Sequence, residues 1–82
     1  MNQETIFKTI VRIICEVIPK LEGHAFQPDD RLADLGANSI DRAEIVTMTL
    51  EALSLSIPRV ELSEGKNIGD LTRIIYAKSQ SV

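Results

Sequence analysis

Apolar side chains recur along this chain at helical spacing, in three blocks separated by turn-forming connectors. In the first block they fall at Ile6, Phe7, Ile10, Ile13, Ile14, Val17 and Ile18, which predicts an amphipathic helix over residues 3–18. Lys8, Arg12 and Glu16, spaced by four, form its wet face, and Glu4 and Lys8 stand in the favourable order for an ion pair one turn apart. Asn2 is placed to cap the start, and Pro19 predicts the stop, because the residue before a proline avoids helical angles.

Residues 19–37 then collect Pro19, Gly23, Pro28, Asp29, Asp30 and Gly36, and so predict a long loop. Leu21, Phe26, Leu32 and Leu35 are expected to fold back and pin it to a core. The second block predicts a helix over residues 39–54, with Ile45, Val46, Thr49, Leu50 and Leu53 inward. Asn38 and Asp41 are spaced as a capping box. Its other face carries Ile40, Ala43, Glu44, Thr47 and Glu51.

In the connector 55–66, Pro58 can start one short helical turn anchored by Val60 and Leu62, and Gly65 breaks it. The third block predicts a helix over residues 68–78, with Asn67 as cap, Asp70 in support, and Ile68, Leu71, Ile74 and Ile75 buried. The tail 79–82 is expected to fray. With no alternating pattern and no repeat, the expected fold is all-α: a single domain over residues 1–82 with three main helices and one short one, in a bundle.

Composition narrows the function. At 82 residues and 44% hydrophobic content, the chain can bury one small core but cannot enclose an elaborate active site. Nine basic against 12 acidic residues leave a net charge of −3, so nothing predicts a phosphate-backbone track. Phe7, Phe26 and Tyr76 are too few for base stacking, and nucleic-acid binding is not expected. No apolar run approaches a membrane span and no leader pattern opens the chain, so a soluble, cytoplasmic protein is expected. One cysteine excludes an internal disulfide, and one histidine disfavours a zinc site.

Candidate chemistry is correspondingly sparse. Cys15 lies among apolar neighbours and is expected in the core rather than reactive. His24 is expected in an exposed loop, not folded over Ser39 as part of a triad. Asp29, Asp30 and Asp34 lack calcium-loop spacing. Ser39 stands out, because a long loop meets a helix N-terminus there and free N–H groups and the helix dipole favour an anion. A serine at that point can cap the helix or carry a phosphate ester, and the residues alone favour the cap.

The segment Asp34-Leu35-Gly36-Ala37-Asn38-Ser39-Ile40-Asp41 resembles the acyl carrier protein family. Its pattern is Leu-Gly-x-Asp-Ser-Leu/Ile, and its serine receives a 4′-phosphopantetheine arm from coenzyme A. Ser39 matches that serine. The resemblance runs over nearly the whole chain, including the Ile57-Pro58 step before the short helix, and implies a four-helix bundle that is a covalent tether, not an enzyme. It also implies a phosphopantetheinyl transferase as partner.

Two departures bear on partners. Asn38 replaces the usual Asp, and both cap well. The second helix keeps Asp41, Glu44 and Glu51 but carries Arg42, which implies partners other than those of fatty-acid synthesis.

The strings Gly36–Ile45, Ile57-Pro58-Arg59-Val60-Glu61-Leu62 and Lys66-Asn67-Ile68-Gly69-Asp70-Leu71 are similar to free-standing carriers of polyketide β-branching cassettes. That subgroup implies a monomeric donor of a small acyl group, acetyl formed from malonyl. Its implied partners are an acyltransferase, a decarboxylating ketosynthase and an enzyme resembling hydroxymethylglutaryl-CoA synthase. Ile40, Asp41, Arg42, Ala43, Glu44 and Thr47 are the expected docking residues. The alternatives are a general acyl or peptidyl carrier of another pathway, and an unmodified helical interaction domain in which Ser39 only caps.

Overall fold

The computed structural model describes residues 1–80. Four helices form among them: α1 (Gln3–Val17), α2 (Ser39–Ala52), the short α3 (Arg59–Leu62) and α4 (Ile68–Gln80), with no strand. The expected four-helix bundle is thus the observed architecture.

α1 is its centre. The Asn2 side chain accepts the Thr5 N–H at 2.8 Å, capping the start. Ile6, Ile10, Ile13 and Ile14 are at most 1% exposed. β-Branching slightly disfavours isoleucine in a helix, but burying each such side chain stabilises by about 1.5–3 kcal/mol, so packing decides. α2 and α4 pack against this stripe, and the core also takes Ile18, Leu32, Ala37, Ile45, Leu50, Ile57, Leu62, Ile68, Leu71 and Ile75.

α1 ends one residue before the sequence predicts. Ile18 is the C-cap at φ −128° and ψ 82°, outside helical angles as its position before Pro19 demands. A 3₁₀ turn over Pro19–Leu21, absent from the sequence expectation, carries the chain into the loop.

The long loop is held as expected and by something more. Leu32 is buried, and Leu21, Phe26 and Leu35 are half-buried against the core. In addition, the first two amides of α4 leave their own helix unpaired and bond the loop instead. Ile68 N–H donates to the Asp30 carbonyl at 3.0 Å, and Gly69 N–H donates to the Pro28 carbonyl at 2.7 Å. Near its end, Gly36 takes φ +96°, a left-handed angle that suits glycine, and turns the chain toward buried Ala37 and α2.

α2 closes at Ala52, two residues early. Ser54 takes φ +56°, and the Leu55 and Ser54 amides donate to the Leu50 and Glu51 carbonyls, a Schellman stop made without glycine. Ile45, Thr49 and Leu50 are buried as expected, with the Thr49 hydroxyl donating to the Ile45 carbonyl. Val46 and Leu53 are only half-buried.

The expected role of Val60 is corrected. Val60 is 74% exposed, while Leu62 is 3% exposed and Ile57, just before the helix, is the second anchor. Residues two apart on a helix point roughly 200° away from each other, so Val60 and Leu62 cannot both face inward.

In α4 the Asn67 side chain accepts the Asp70 N–H at 2.7 Å, and the Asp70 carboxylate accepts the Lys66 N–H at 3.0 Å. Ile68, Leu71 and Ile75 are buried; Ile74 is half-buried, and Thr72 takes a core position by donating its hydroxyl to the Ile68 carbonyl. Ser79 and Gln80, expected to fray, are helical; the rest of that tail lies outside the described residues.

Candidate functional site

Ser39 is the first residue of α2 and is exposed. The question left by the sequence, whether it caps the helix, is settled by its neighbour. The Asn38 side chain accepts the Asp41 N–H at 2.8 Å, and the Asp41 carboxylate accepts the Asn38 N–H at 3.2 Å. This reciprocal box performs the capping. The Ser39 hydroxyl bonds none of the described residues and faces solvent beside the positive end of a 14-residue helix. An exposed, uncommitted hydroxyl at a helix N-terminus fits a phosphodiester link: the oxygen is available to form the ester, and the first amides of the helix lack intrahelical acceptors and favour the anion.

The expected docking residues surround it. Ile40 is 74% exposed, a large apolar side chain held in water next to the serine. Glu44 and Thr47 are exposed, and with Ile40 they follow the i, i+4, i+7 spacing that shares one face. Asp41 and Ala43 are half-buried, Asp41 because its carboxylate is engaged in the cap.

Arg42 has a contact that its position on the helix did not announce. It is half-buried, and its Nη1 donates to the Ala37 carbonyl at 2.8 Å, tying α2 to the last turn of the loop. The signal for this is tertiary, since the loop must already curl under the helix for the carbonyl to face the guanidinium.

The other candidates stand apart from this site. The His24 Nε2 lies 3.0 Å from the Asp30 carboxylate, and its ring meets Phe26 edge-on at 4.7 Å; no hydrogen bond joins it to Ser39. Asp30 is held below the ordinary aspartate range, first by the Gln27 N–H it accepts and then by His24. Cys15 is half-buried rather than in the sealed core. Burial, with a smaller contribution from the Glu22 charge, pushes its thiol pKa up, which disfavours the reactive thiolate. Among the described residues no group of acids, histidine and cysteine is arranged to hold a metal, and no helix is long and apolar enough to cross a membrane.

These features agree with what the chain is similar to. Residues 8–75 match the family model for the phosphopantetheine attachment site. The polyketide biosynthesis acyl-carrier-protein AcpK of Bacillus subtilis (strain 168) is 57% identical over 81 residues, covering 99% of both chains. The acyl carrier protein of Prochlorococcus marinus (strain MIT 9515) is 34% identical over 79 residues, 95% of this chain and 98% of that one. Among solved structures, a chain in the crystal structure of the curacin biosynthetic pathway HMG synthase in complex with acetyl donor-ACP superposes with a TM-score of 0.90. That chain is 44% identical, with 94% of this chain and 99% of that chain covered. The chain therefore belongs to the phosphopantetheine-attachment family and is an acyl carrier protein, a tether for acyl groups rather than an enzyme.

Proposed function

We propose that this carrier is the acetyl donor of a polyketide β-branching step, with Ser39 as the attachment residue of its 4′-phosphopantetheine arm. The observation that carries the reading is the likeness to the acetyl donor carrier held by an HMG synthase, at 44% identity over nearly the whole chain. The unoccupied hydroxyl of Ser39, spared from capping by Asn38, supports the residue assignment.

The arm supplies the thiol that holds the acyl group as a thioester. The protein's own residues do the rest. Ser39 fixes the tether at a rigid helix end, and the amides of the first turn of α2 favour its phosphate. Exposed Ile40 gives a partner an apolar contact, with Glu44 and Thr47 on the same face. Such contacts must be brief, because the carrier leaves each enzyme after delivery, and tethering raises local substrate concentration without tight binding.

The partners in this reading are a phosphopantetheinyl transferase, an acyltransferase, a decarboxylating ketosynthase and the HMG-synthase-like enzyme that takes the acetyl unit. The chain acts as one domain over residues 1–82, as a monomer, in the cytoplasm.

The test has two stages. Incubation with coenzyme A and a phosphopantetheinyl transferase should add one arm by intact mass, and Ser39→Ala should abolish the addition with unchanged helical circular dichroism. Uptake of the arm by Ser39→Ala would refute the site. The acetyl-loaded protein is then offered in parallel to an HMG-synthase-like enzyme and to a fatty-acid ketosynthase. Transfer to the first with poor elongation by the second is the expected result, and the reverse overturns the donor role. Arg42→Asp should reduce that transfer while leaving arm addition intact. Because Arg42 also holds the Ala37 carbonyl, its urea midpoint is measured alongside.

A further inference from the structure

The chain has nine basic residues. Four of them are paired within helices or between them: Lys8 with Glu4, Arg12 with Glu16, Arg73 with Asp70 and Lys78 with Glu61. Of the five that meet no carboxylate among the described residues, four line one place. Arg42 and Arg59 border a recess of about 450 Å³ between α2 and α3, and Arg31, Arg42 and Lys66 border an adjoining one of about 260 Å³. The two share Leu32, Arg42, Ser63, Gly65 and Leu71, so they form one cleft. No aspartate or glutamate lines either part. Glu64, the acid nearest in sequence to Lys66, lines a separate recess with Glu61 and Lys78, and Asp70, four residues on, has its carboxylate turned to the Lys66 amide and to Arg73.

This arrangement is unusual for a protein of net charge −3. Like charges drawn together without counter-ions repel one another, and a bound anion would remove that cost. The floor, by contrast, is apolar, formed by Leu32, Val46, Leu62 and Leu71. A recess with a hydrocarbon floor and a cationic rim suits a small amphipathic anion, and its volume falls in the range of small-molecule sites. A protein surface would need a projecting acidic side chain to reach the same charges.

The cleft opens on the face of α2 that Ser39 occupies. Arg42, Ala43 and Val46 follow Ser39 by three, four and seven residues, which places them on one side of the helix roughly 5–10 Å along its axis. A flexible arm fixed at Ser39 can fold back over that distance.

We infer that the cleft ringed by Arg31, Arg42, Arg59 and Lys66 binds the free carboxylate of an acyl unit carried on the arm, a dicarboxylic half-thioester of the malonyl class. Neutral acyl groups leave it. This rests on Ser39 being the attachment residue. A carrier with such a site distinguishes its cargo by charge: the carboxylated unit is held against the protein, and the acetyl unit swings free for delivery. Arg42 then serves both ends of the site, fixing the loop through one nitrogen while contributing charge to the cleft.

The experiment uses the ¹⁵N-labelled full chain in four forms: apo, holo, acetyl-loaded and malonyl-loaded, the last three made from the apo form by a phosphopantetheinyl transferase with coenzyme A, acetyl-coenzyme A and malonyl-coenzyme A. Intact mass verifies loading first. Absence of any mass gain refutes the carrier reading itself, separately from the inference. With loading verified, malonyl should shift the Ser63, Gly65 and Lys66 amides relative to the acetyl form. The shifts should fade as salt rises from 50 to 500 mM, about a threefold shortening of the screening length. The exposed pair Arg59→Gln and Lys66→Gln, made together, should lose most of those shifts while loading as fully as the parent and melting within a few degrees of it. Identical acetyl and malonyl spectra would overturn the inference. So would equal shifts in the holo form, which would assign the cleft to the arm's phosphate, and so would malonyl shifts that survive the double substitution. A cleft silent to every loaded form but shifted by an acidic partner protein would overturn it in favour of a docking surface.

Discussion

Replacing Gly69 with alanine sets a helix-favouring change against the packing that holds the long loop in place. Alanine is better than glycine inside a helix by up to about 1 kcal/mol, so at an open site in α4 the substitution would stabilise. Gly69 is not at an open site. A Cβ there would lie 3.0 Å from both the Pro28 Cβ and the Pro28 carbonyl oxygen, closer than side-chain carbons normally approach. The Gly69 N–H donates to that same carbonyl at 2.7 Å, so the loop cannot retreat without lengthening a bond whose net contribution is about 0.5–1.5 kcal/mol. Overpacking of this kind costs about 1–3 kcal/mol and the lengthened bond adds to it, so against a propensity gain of up to about 1 kcal/mol the net expectation is a loss of about 0.5–3.5 kcal/mol. For a domain of this size that lowers Tm on the order of 10 °C. Urea and thermal melts followed by circular dichroism measure it, with exposed Ala77→Gly in the same helix reporting the propensity difference alone. A Gly69→Ala protein as stable as the parent, or more so, would show that the loop does not bear on α4 as described.

Leu62→Ala should cost about 2–4 kcal/mol, whereas Val60→Ala should stay within about 0.5 kcal/mol; a urea titration of the pair checks which residue anchors α3. Asn38→Ala should cost about 1 kcal/mol through loss of the cap and Asn38→Asp should be nearly neutral, by the same titration; a large loss with Asp would refute the box as the reason for Asn38. Asp30 has a depressed pKa in the fold, so its stabilising contribution is present above the unfolded aspartate value of about 3.9 and is lost as pH falls through its lower folded value. An NMR titration of the Gln27 amide should therefore find its midpoint below the usual aspartate range, and Asp30→Asn should remove that transition.

Much of this fold is legible in local pattern. The isoleucines of α1 repeat at helical spacing, and Asn2, Asn38 and Asn67 each precede a helix as caps, so starts are easier to place than ends. The end of α2 is hidden because its left-handed residue is Ser54, not glycine, and the turn at Pro19–Leu21 because three residues carry no period. Val60 is misplaced by reading two apolar residues in a short segment as one face. Other features are tertiary and have no local signal. The bonds from Ile68 and Gly69 to the loop carbonyls depend on two segments about forty residues apart meeting at one angle, and the cationic cleft collects residues from the loop, α2, α3 and the turn before α4.

The same tertiary bonds bear on how the carrier would present Ser39 if, as proposed, it holds the arm. An attachment hydroxyl has to be free of the protein yet fixed in direction, and a helix N-terminus sets these needs against each other, because serine is among the residues most prone to cap there and spend its oxygen on an amide. Here the conflict is resolved one residue earlier. Asn38 takes the Asp41 amide, and Asp41 answers by taking the Asn38 amide, so the first turn is closed without Ser39. Direction is supplied from behind: Arg42 grips the Ala37 carbonyl, Ala37 is buried, and the loop leading to it is hung on the open amides of α4. Rigidity thus reaches Ser39 through backbone and neighbours while its side chain takes no part. Substitutions that loosen this frame, at Asn38 or Gly69, should therefore reduce stability well before they affect the chemistry of the serine. Substitutions on the exposed face at Ile40, Glu44 and Thr47 should change partner choice with little effect on stability.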